Sequence, residues 1–508
     1  MTRPDFDAVV AGAGHNGLIA ACYLARSGMD VLVVEARDTV GGLASTVDAL
    51  GARVNICMCD HVMIRSTPII EELDLVAQGL TYVDVDPHHL YLSGDPTAAW
   101  FGFHDVEQTA ESLAIVHPGA AAGYRRLMDR ALPVARLVLD LACEVPTPGA
   151  SLKALGRHGV SAVSTMLGWA RRSALDVLAS AGADDVAGML LAGAPSTWGL
   201  PPRHPRTGLA VLSAAVRHAV MPGRPVGGSG ALSGSIASRL ASVGGKVRCG
   251  VSVESVLVES RRVRGVGLSD GSVIEAPVVV CAADPRRLYT EWLAGDPPAW
   301  LEAKPPEGFE AKLDVVLDRL PTYLGLDAER HGVTDPLVPT GVVSPGVDGM
   351  ASAHATMLGG EMATDTVMYA NWPSVTDRSL VAEGEHLLGL EVLFTPYGLR
   401  GGWDSSAVAE RWLERFARVM DPGFLDSVRR WRLVSPVDYE SGFGLSRGFV
   451  PSFAGGAVSA LLGRPRELTR YRASVDGLYV TGGATFPGAG IWGASGRNAA
   501  SVVLADRA

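Results

Sequence analysis

The chain has 508 residues, which corresponds to about three domains of ~150 residues or to two larger interleaved ones. Hydrophobic residues make up 47% and charged residues 19%, so the chain can bury large cores and is not intrinsically disordered. Its net charge of -10 and its lack of a basic run exclude a typical nucleic-acid-binding protein. The six cysteines are scattered rather than arranged as a disulfide framework, which predicts a reducing, cytoplasmic location. The amino-terminal residues are not typical of a signal peptide, and no long apolar run predicts a membrane span.

The first fifty residues predict a β-α-β unit. Residues 7–11 form an apolar run typical of a strand, residues 18–27 have helical spacing, and residues 31–34 predict a second buried strand. Residues 12–17, Gly-Ala-Gly-His-Asn-Gly, join the first strand to the helix. Glu35 follows the second strand directly. This order is the one expected of a dinucleotide-binding unit.

Further elements are predicted along the rest of the chain. In order they are a helix at 69–80, a helical insertion at about 106–220, a helix at 232–243, strands at 247–257, 262–268, 273–281, 311–319, 366–371 and 386–394, a helix at 405–420 and a final helix at 494–504. Asp270-Gly271 indicates a hairpin between two of these strands.

The domain organisation is predicted to be interleaved, because the sequence has no internal repeat and no second glycine-rich nucleotide turn. The expected fold class is α/β, with a Rossmann-type nucleotide domain interleaved with an α+β substrate domain. The nucleotide domain would combine residues 1–84, 225–300 and 440–508. The substrate domain would combine residues 85–224 and 301–439 and carry the helical insertion.

Each glycine of the Gly-x-Gly-x-x-Gly turn has a mechanical role. Gly12 permits the tight turn, Gly14 lets the backbone approach a pyrophosphate, and Gly17 lets the helix pack close to the strand. The helix start then offers free N–H groups to phosphates. Glu35, 18 residues after Gly17, is placed to accept hydrogen bonds from ribose hydroxyls. The carboxylate favours FAD or NAD over NADP.

A glycine-rich stretch near the carboxyl terminus separates FAD from NAD. Residues 482–497 follow a strand and open the last helix. A helix amino terminus aimed at a flavin would stabilise the negative charge of the reduced ring. Together with residues 35–42, which continue from the ribose carboxylate, this stretch predicts FAD as the cofactor.

These motifs resemble the FAD-dependent amine oxidase and phytoene desaturase superfamily. The similarity is greatest to its phytoene dehydrogenase-like, carotene ketolase-like branch. It is carried by residues 13–18, 227–234, 282–285, 487–488 and 496–500, and it covers most of the chain. The motifs are specific for FAD but not for a substrate. One departure is Phe486, since relatives often have a histidine before this Pro-Gly pair.

The resemblance implies a set of FAD-binding residues. In it the glycine turn holds the diphosphate, residues 37–42 flank the flavin, the backbone at position 253 meets the adenine, and residues 490–492 lie at the edge of the ring. The full set is Gly12, Gly14, Asn16, Gly17, Glu35, Ala36, Arg37, Gly41, Gly42, Leu43, Val253, Gly483, Gly490, Ile491 and Trp492. His15 is given no catalytic role.

Four residues are candidates for the substrate chemistry: Lys312, Trp492, Phe486 and His61. Amine oxidase relatives hold a water near flavin N5 with a lysine, and Lys312 is considered for this role. The alternative is that Lys312 is an ordinary exposed residue of a strand. Phe486 and Trp492 bracket the last glycine-rich turn and are expected on the reactive side of the flavin.

Aromatic and polar neighbours extend this expectation. Trp372 and Tyr369 are expected to line the same cavity or to pack in the core, and Asp60 beside His61 is expected near the flavin. The run Cys57-Met-Cys59-Asp-His61 suggests zinc, but it lacks a second ligand pair, so no metal is expected.

The resemblance implies a flavin-dependent desaturase or dehydrogenase that moves a hydride from an apolar polyene or isoprenoid-like substrate, such as a carotenoid, to flavin N5. A reductive or redox-neutral cyclase or isomerase of bacterial secondary metabolism, an amine oxidase, and a non-catalytic flavin-binding scaffold remain alternatives. The redox partner is left open among O2, a quinone and NAD(P)H. Contact with a membrane surface through the helical insertion is also left open, and no oligomeric state is predicted.

Overall fold

A computed structural model describes residues 4–57, 60–194, 199–301, 306–403, 405–450, 452–453 and 456–508. Its strands are β1 (Ala8–Ala11), β2 (Val31–Val34), β3 (Thr46–Ala49), β4 (Ala52–Asn55), β5 (Tyr82–Asp84), β6 (His89–Leu92), β7 (Trp100–Gly102), β8 (Gly223–Pro225), β9 (Lys246–Arg248), β10 (Val253–Glu259), β11 (Arg262–Leu268), β12 (Val273–Glu275), β13 (Val279–Cys281), β14 (Glu310–Leu317), β15 (Thr340–Val343), β16 (Met368–Asn371), β17 (His386–Leu393), β18 (Val428–Val434) and β19 (Leu478–Val480).

The helices follow the same chain order. They are α1 (His15–Arg26), α2 (Ile69–Glu72), α3 (Val106–Val116), α4 (Ala120–Ala142), α5 (Pro148–Trp169), α6 (Ala174–Ala179), α7 (Ala187–Ala192), α8 (Leu212–Ala219), α9 (Gly230–Ser242), α10 (Pro285–Arg287), α11 (Gly346–Leu358), α12 (Pro373–Thr376), α13 (Ser405–Ala417), α14 (Phe424–Ser427), α15 (Pro436–Phe443), α16 (Gly456–Leu461), α17 (Arg466–Arg470) and α18 (Ala494–Arg507).

A five-stranded parallel sheet forms the nucleotide-type layer. Its order is β19-β13-β1-β2-β9, and each neighbouring pair is parallel. The strands β1 and β2 are buried along their whole length, as expected of a parallel sheet covered on both faces. The helix α1 packs against α9 and α18. The predicted β-α-β unit is therefore confirmed, with a helix that begins three residues earlier than expected.

A seven-stranded sheet forms the second layer, in the order β18-β14-β17-β16-β15-β6-β7. Its pairs are antiparallel except β15 with β6. Side chains on one face, such as Tyr91 and Tyr369, pack against the helices between residues 106 and 219. Side chains on the other face, such as Leu90 and Leu390, pack against α13. The predicted helical insertion thus covers one face of this sheet.

Several predicted elements are shorter or divided in the structure. The strand expected at 273–281 forms β12 and β13, which lie in two different sheets. The helix expected at 69–80 ends at Glu72, because Asp74 has a φ of +52° that a right-handed helix does not allow. The strand expected at 247–257 is divided into β9 and β10 by Gly250, whose φ is +75°. The division sends β9 to the parallel sheet and β10 to a separate antiparallel sheet with β11 and β12.

The α/β fold class with a Rossmann-like parallel sheet is confirmed. Strands of the parallel sheet come from residues 8–34, 246–281 and 478–480, so its segments are far apart in the chain. The exact domain boundaries stay a prediction. Among the described helices, none combines the length and the apolar character that a membrane span requires.

Candidate functional site

The glycine turn after β1 has the geometry expected of a phosphate-binding loop. Gly12 has a φ of +109° and donates its N–H to the carbonyl of Val34 at 2.8 Å. A Cβ on Gly17 would collide with the carbonyl oxygen of Gly12, so only glycine fits there. A Cβ on Gly14 would meet no atom within 4 Å. Gly14 therefore faces open space at the start of α1, where a pyrophosphate would lie.

Glu35 closes this turn from the end of β2. One carboxylate oxygen accepts the N–H of Ala13 at 2.7 Å, and the other accepts the N–H of Arg37 at 3.0 Å. The side chain is 8% exposed and lines the cavity described below. The two backbone hydrogen bonds orient the carboxylate, and its remaining lone pairs are available to ribose hydroxyls.

A large cavity begins at the glycine turn. Its volume is about 1320 Å³, which exceeds the ~300–1,000 Å³ of a typical small-molecule pocket. Every residue that the sequence predicted to bind FAD lies in its lining: Gly12, Gly14, Asn16, Gly17, Glu35, Ala36, Arg37, Gly41, Gly42, Leu43, Val253, Gly483, Gly490, Ile491 and Trp492. The cavity thus has room for a dinucleotide and for a second molecule beside it.

The segment after β19 forms another wall of this cavity. The hydroxyl of Ser495 accepts the N–H of Gly482 at 2.9 Å and lies 2.5 Å from the hydroxyl of Thr485. These contacts tie the glycine-rich segment to the start of α18. The N–H of Gly496 donates to the side chain of Asn16 at 3.3 Å, which joins the first and last helices of the chain.

Phe486 and Trp492 both line the cavity, and their position on the reactive side of the flavin stays a prediction. Phe486 precedes a cis proline, and its ring meets the ring of Phe453 edge-on at 6.0 Å. The indole N–H of Trp492 donates to the carbonyl of Ala489 at 3.1 Å. His15 also lines the cavity, and burial lowers its pKa to about 4, so the ring is neutral.

The structure places Lys312 outside the cavity lining, so the catalytic role considered for it gains no support from its position. Its ammonium donates to the carbonyl of Asn55 at 2.5 Å and to the carboxylate of Asp314. The side chain is buried, so it is also not the exposed strand lysine of the alternative interpretation. Lys312 lies outside the cavity lining, and β14 instead presents Glu310 there. Lys312 therefore contacts Asn55 and Asp314, whereas the sequence predicted that it would hold a water near flavin N5.

The structure also places His61 outside the cavity lining. The ring is fully buried, and its two nitrogens contact the hydroxyls of Tyr82 at 2.8 Å and Ser229 at 3.1 Å. Burial lowers its pKa to about 3. With both nitrogens engaged and no place in the cavity lining, His61 holds three chain segments together.

Its neighbour Asp60 has a similar position. Arg224 donates to its carboxylate at 2.6 Å, and the hydroxyl of Thr340 donates to it as well. These charge-assisted contacts lower the pKa of Asp60 despite its burial. Asp60 therefore joins β8 to β15 and is not among the residues that line the cavity.

The two aromatic residues of β16 and its end lie in the core. Trp372 donates to the hydroxyl of Tyr323 at 3.2 Å, and Tyr369 donates to the carbonyl of Ala192 at 2.7 Å. Neither lines the cavity, so the core alternative is the correct one.

Of the cysteines in the metal-like run, Cys57 lines the cavity, and burial raises the pKa of its thiol well above the usual value. Cys59 lies outside the described residues. No group of metal-ligating side chains occurs among the residues that the structure describes.

Glu310 is a cavity residue that sequence reasoning missed. It is the first residue of β14 and is partly exposed to the cavity. Burial raises the pKa of its carboxyl to about 7. A signal was present in the sequence, because Glu310, Lys312 and Asp314 alternate with apolar residues and share one face of the strand.

The sequence of the chain is similar to one known family and to several known proteins. Residues 10–68 match the family described as an NAD(P)-binding Rossmann-like domain. Pyridine nucleotide-disulfide oxidoreductase domain-containing protein 2 of Rattus norvegicus is 28% identical, over 99% of this chain and 94% of that protein. A phytoene desaturase (neurosporene-forming) of Rhodobacter capsulatus is 25% identical, over 95% of this chain and 91% of that protein.

The structure of cyclohexylamine oxidase from Brevibacterium oxydans covers 99% of this chain and 100% of its own, with a TM-score of 0.63 and 15% identity. The predicted resemblance to the FAD-dependent amine oxidase and phytoene desaturase superfamily is confirmed. FAD, the cofactor of that superfamily, is the dinucleotide that these residues fit. The open space at Gly14 and the oriented carboxylate of Glu35 are the features that carry the fit.

Proposed function

We propose that this member of the superfamily dehydrogenates an apolar, isoprenoid-like or polyene substrate. The observation that carries the proposal is the composition of the cavity wall beyond the glycine turn. There the helical insertion contributes apolar side chains, namely Val138, Leu141, Met166, Leu209, Leu212 and Val216. A wall of this kind selects a substrate by its apolar surface and excludes water from it.

Some residues of the chain would bind the cofactor, and others would position the substrate. Bound FAD would supply the acceptor for a hydride from the substrate. Glu35 would hold the ribose, and the amino terminus of α1 would face the diphosphate. Phe486, Phe309 and Trp492 would hold the substrate against the ring and limit its motion. O2 or a quinone is the proposed final electron acceptor.

The activities named for similar proteins support an apolar substrate more strongly than an amine. A Rhodobacter capsulatus phytoene desaturase matches nearly the whole chain in sequence, whereas the cyclohexylamine oxidase shows only the fold at 15% identity. The size of the cavity also speaks against a scaffold that binds flavin without turnover. A cyclase or isomerase would use the same apolar wall. The change in flavin absorbance and the identity of the product are therefore needed to distinguish these reactions.

The test is anaerobic reduction of the flavin by defined probes. Purified holoprotein is mixed with phytoene in detergent micelles, with cyclohexylamine, with NADH or with empty micelles, and flavin absorbance is followed. We expect phytoene to bleach the flavin and to yield a product with a longer conjugated system. Bleaching by cyclohexylamine, followed by peroxide release in air, would instead identify an amine oxidase. Bleaching by NADH would favour the reductive or cyclising alternative.

A variant of the apolar wall completes this test. Leu209→Gln places an amide in the wall, while Leu320→Gln changes an exposed leucine outside the cavity lining. We expect the first variant to slow reduction by phytoene about 10-fold or more, and the second to leave it unchanged. Equal rates in the two variants would contradict an apolar substrate at this wall.

A further inference from the structure

Glu310 occupies a wall of the cavity that is continuous with the predicted flavin-flanking segment. Cys57 and Phe443 line the cavity together with Glu310, and they pack in one cluster with Leu43. The guanidinium of Arg37 lies 4.5 Å from the centre of the Phe443 ring. Glu310 therefore shares this cavity with the segment that is expected to flank the flavin.

The other carboxyl groups of the described lining already have backbone partners. Glu35 accepts the N–H groups of Ala13 and Arg37, and Asp284 accepts the N–H of Arg286 at 2.9 Å. The carboxyl of Glu310 accepts no hydrogen bond from any described residue. It is the lining carboxyl, within the described part of the chain, whose oxygens are left to the occupant of the cavity.

The titratable groups around Glu310 come from three elements. Cys57 lies in the segment after β4 and lines the cavity, Tyr439 lies on α15, and Glu391 lies on β17, diagonally across from Glu310 in the β14–β17 register. Burial raises the pKa of the Cys57 thiol and of Tyr439, and the nearby Glu310 and Glu391 raise both further, which places these groups within electrostatic range of one another.

The nearby cation does not neutralise Glu310. The ammonium of Lys312 is held by Asp314, which also accepts Arg432 at 2.7 Å. Burial is the cause that raises the pKa of Glu310 to about 7. A carboxyl that titrates near neutral pH can both accept and release a proton during turnover.

We propose that Glu310 is the proton acceptor of the dehydrogenation, an inference that rests on the proposed function. A C–H bond of the substrate breaks with its electron pair, and the hydride goes to oxidised flavin. The C–H bond on the adjacent carbon breaks with its proton going to the Glu310 carboxylate, and its electron pair forms the new C=C bond. The substrate is oxidised and the flavin reduced by two electrons, and O2 or a quinone reoxidises the flavin.

The first test measures protonation without turnover. Infrared spectra of the holoprotein in D2O buffers from pH 5 to 9 report protonated carboxyl groups through their carbonyl band. We expect the wild type to lose one such band with a midpoint near pH 7, and Glu310→Gln to lack that transition. The matched control Glu254→Gln, an exposed residue outside the cavity lining, should retain it. A Glu310 carboxyl that titrates in the ordinary glutamate range would overturn the proposal.

The second test measures the role in the reaction with phytoene as the probe. The rate of flavin reduction in the wild type should rise with pH through about 7, since the base must be ionised. Glu310→Gln should be about 100-fold slower with a flat pH profile, and Glu310→Asp should recover part of the rate. A Gln variant within two-fold of the wild type would refute proton transfer to Glu310. If phytoene reduces neither protein, the proposed function fails, whereas the infrared result still decides the protonation on which this inference depends.

Discussion

The carboxylate of Glu35 accepts the backbone N–H of Ala13 at 2.7 Å, and this contact joins the end of β2 to the glycine turn after β1. The same side chain lines the cavity. One residue thus orders the glycine turn after β1 and presents its carboxyl group to the cavity.

Replacing Glu35 with glutamine should weaken FAD binding more than it weakens the fold. The amide can still accept one backbone hydrogen bond but loses the charge, so we expect about 10- to 100-fold lower affinity for FAD. The free energy of unfolding of the cofactor-free chain should fall by only about 1 kcal/mol. Fluorescence titration of FAD and urea unfolding measure the two quantities. Equal affinity in the two proteins would contradict a ribose-binding role.

Two alanine substitutions in the glycine turn should separate binding from folding. A Cβ on Gly14 meets nothing in the protein, so Gly14→Ala should fold normally yet bind FAD at least about 10-fold more weakly. A Cβ on Gly17 collides with the Gly12 carbonyl and lies 2.9 Å from the Ala282 side chain, so Gly17→Ala should lose about 1–3 kcal/mol of stability as well. Thermal unfolding without FAD distinguishes them. A Gly14→Ala protein that binds FAD normally would place the phosphates elsewhere.

Lys312 should matter for stability rather than for binding of the cofactor. Lys312→Met leaves Asp314 with Arg432 alone, so we expect a loss on the order of 2 kcal/mol, less than for a fully uncompensated buried charge. Lys246→Met, at an exposed ion pair of 3.7 Å, is the control and should change stability little. Urea unfolding measures both. An unchanged unfolding curve, together with an altered spectrum of bound flavin, would instead show that Lys312 acts near the flavin.

The pH dependence of the free energy of unfolding should report the titration of the Glu310 carboxyl. Its pKa is raised from the ordinary value to about 7 in the folded chain, so the folded state binds the proton more tightly than the unfolded state does. The stabilisation is full below about pH 4 and is lost as the pH rises through 7, by an amount on the order of 2–3 kcal/mol. Glu310→Gln should lack this decline. Parallel curves for the two proteins between pH 5 and 8, at saturating FAD, would show that the carboxyl is not perturbed.

Local sequence patterns predicted the nucleotide part of the molecule well. The glycine turn, the helix after it and Glu35 are contiguous, and each has a geometric requirement that the residue type reveals. The glycine-rich stretch near positions 483–492 is recognisable for a similar reason, because Gly488 and Gly490 adopt positive φ angles that glycine tolerates and other residues rarely adopt.

The substrate side depends on contacts between distant segments, which the sequence alone does not specify. Lys312 and Glu310 share a strand face, and only the packing of the segment around Asn55 and Cys57 decides which of them reaches the cavity. His61 is engaged by Tyr82 and Ser229, residues 21 and 168 positions away. Trp372 and Tyr369 lie in the core because the helical insertion and the strands of the second sheet enclose them.

Whether the cavity holds FAD is decided by the absorbance spectrum of the purified protein. The spectrum is recorded as isolated and again after incubation with FAD and removal of the unbound excess, with Gly14→Ala treated in parallel. We predict flavin bands that remain with the wild type and are reduced in the variant. A wild-type protein that stays colourless after incubation with FAD would show that the cavity does not bind this cofactor.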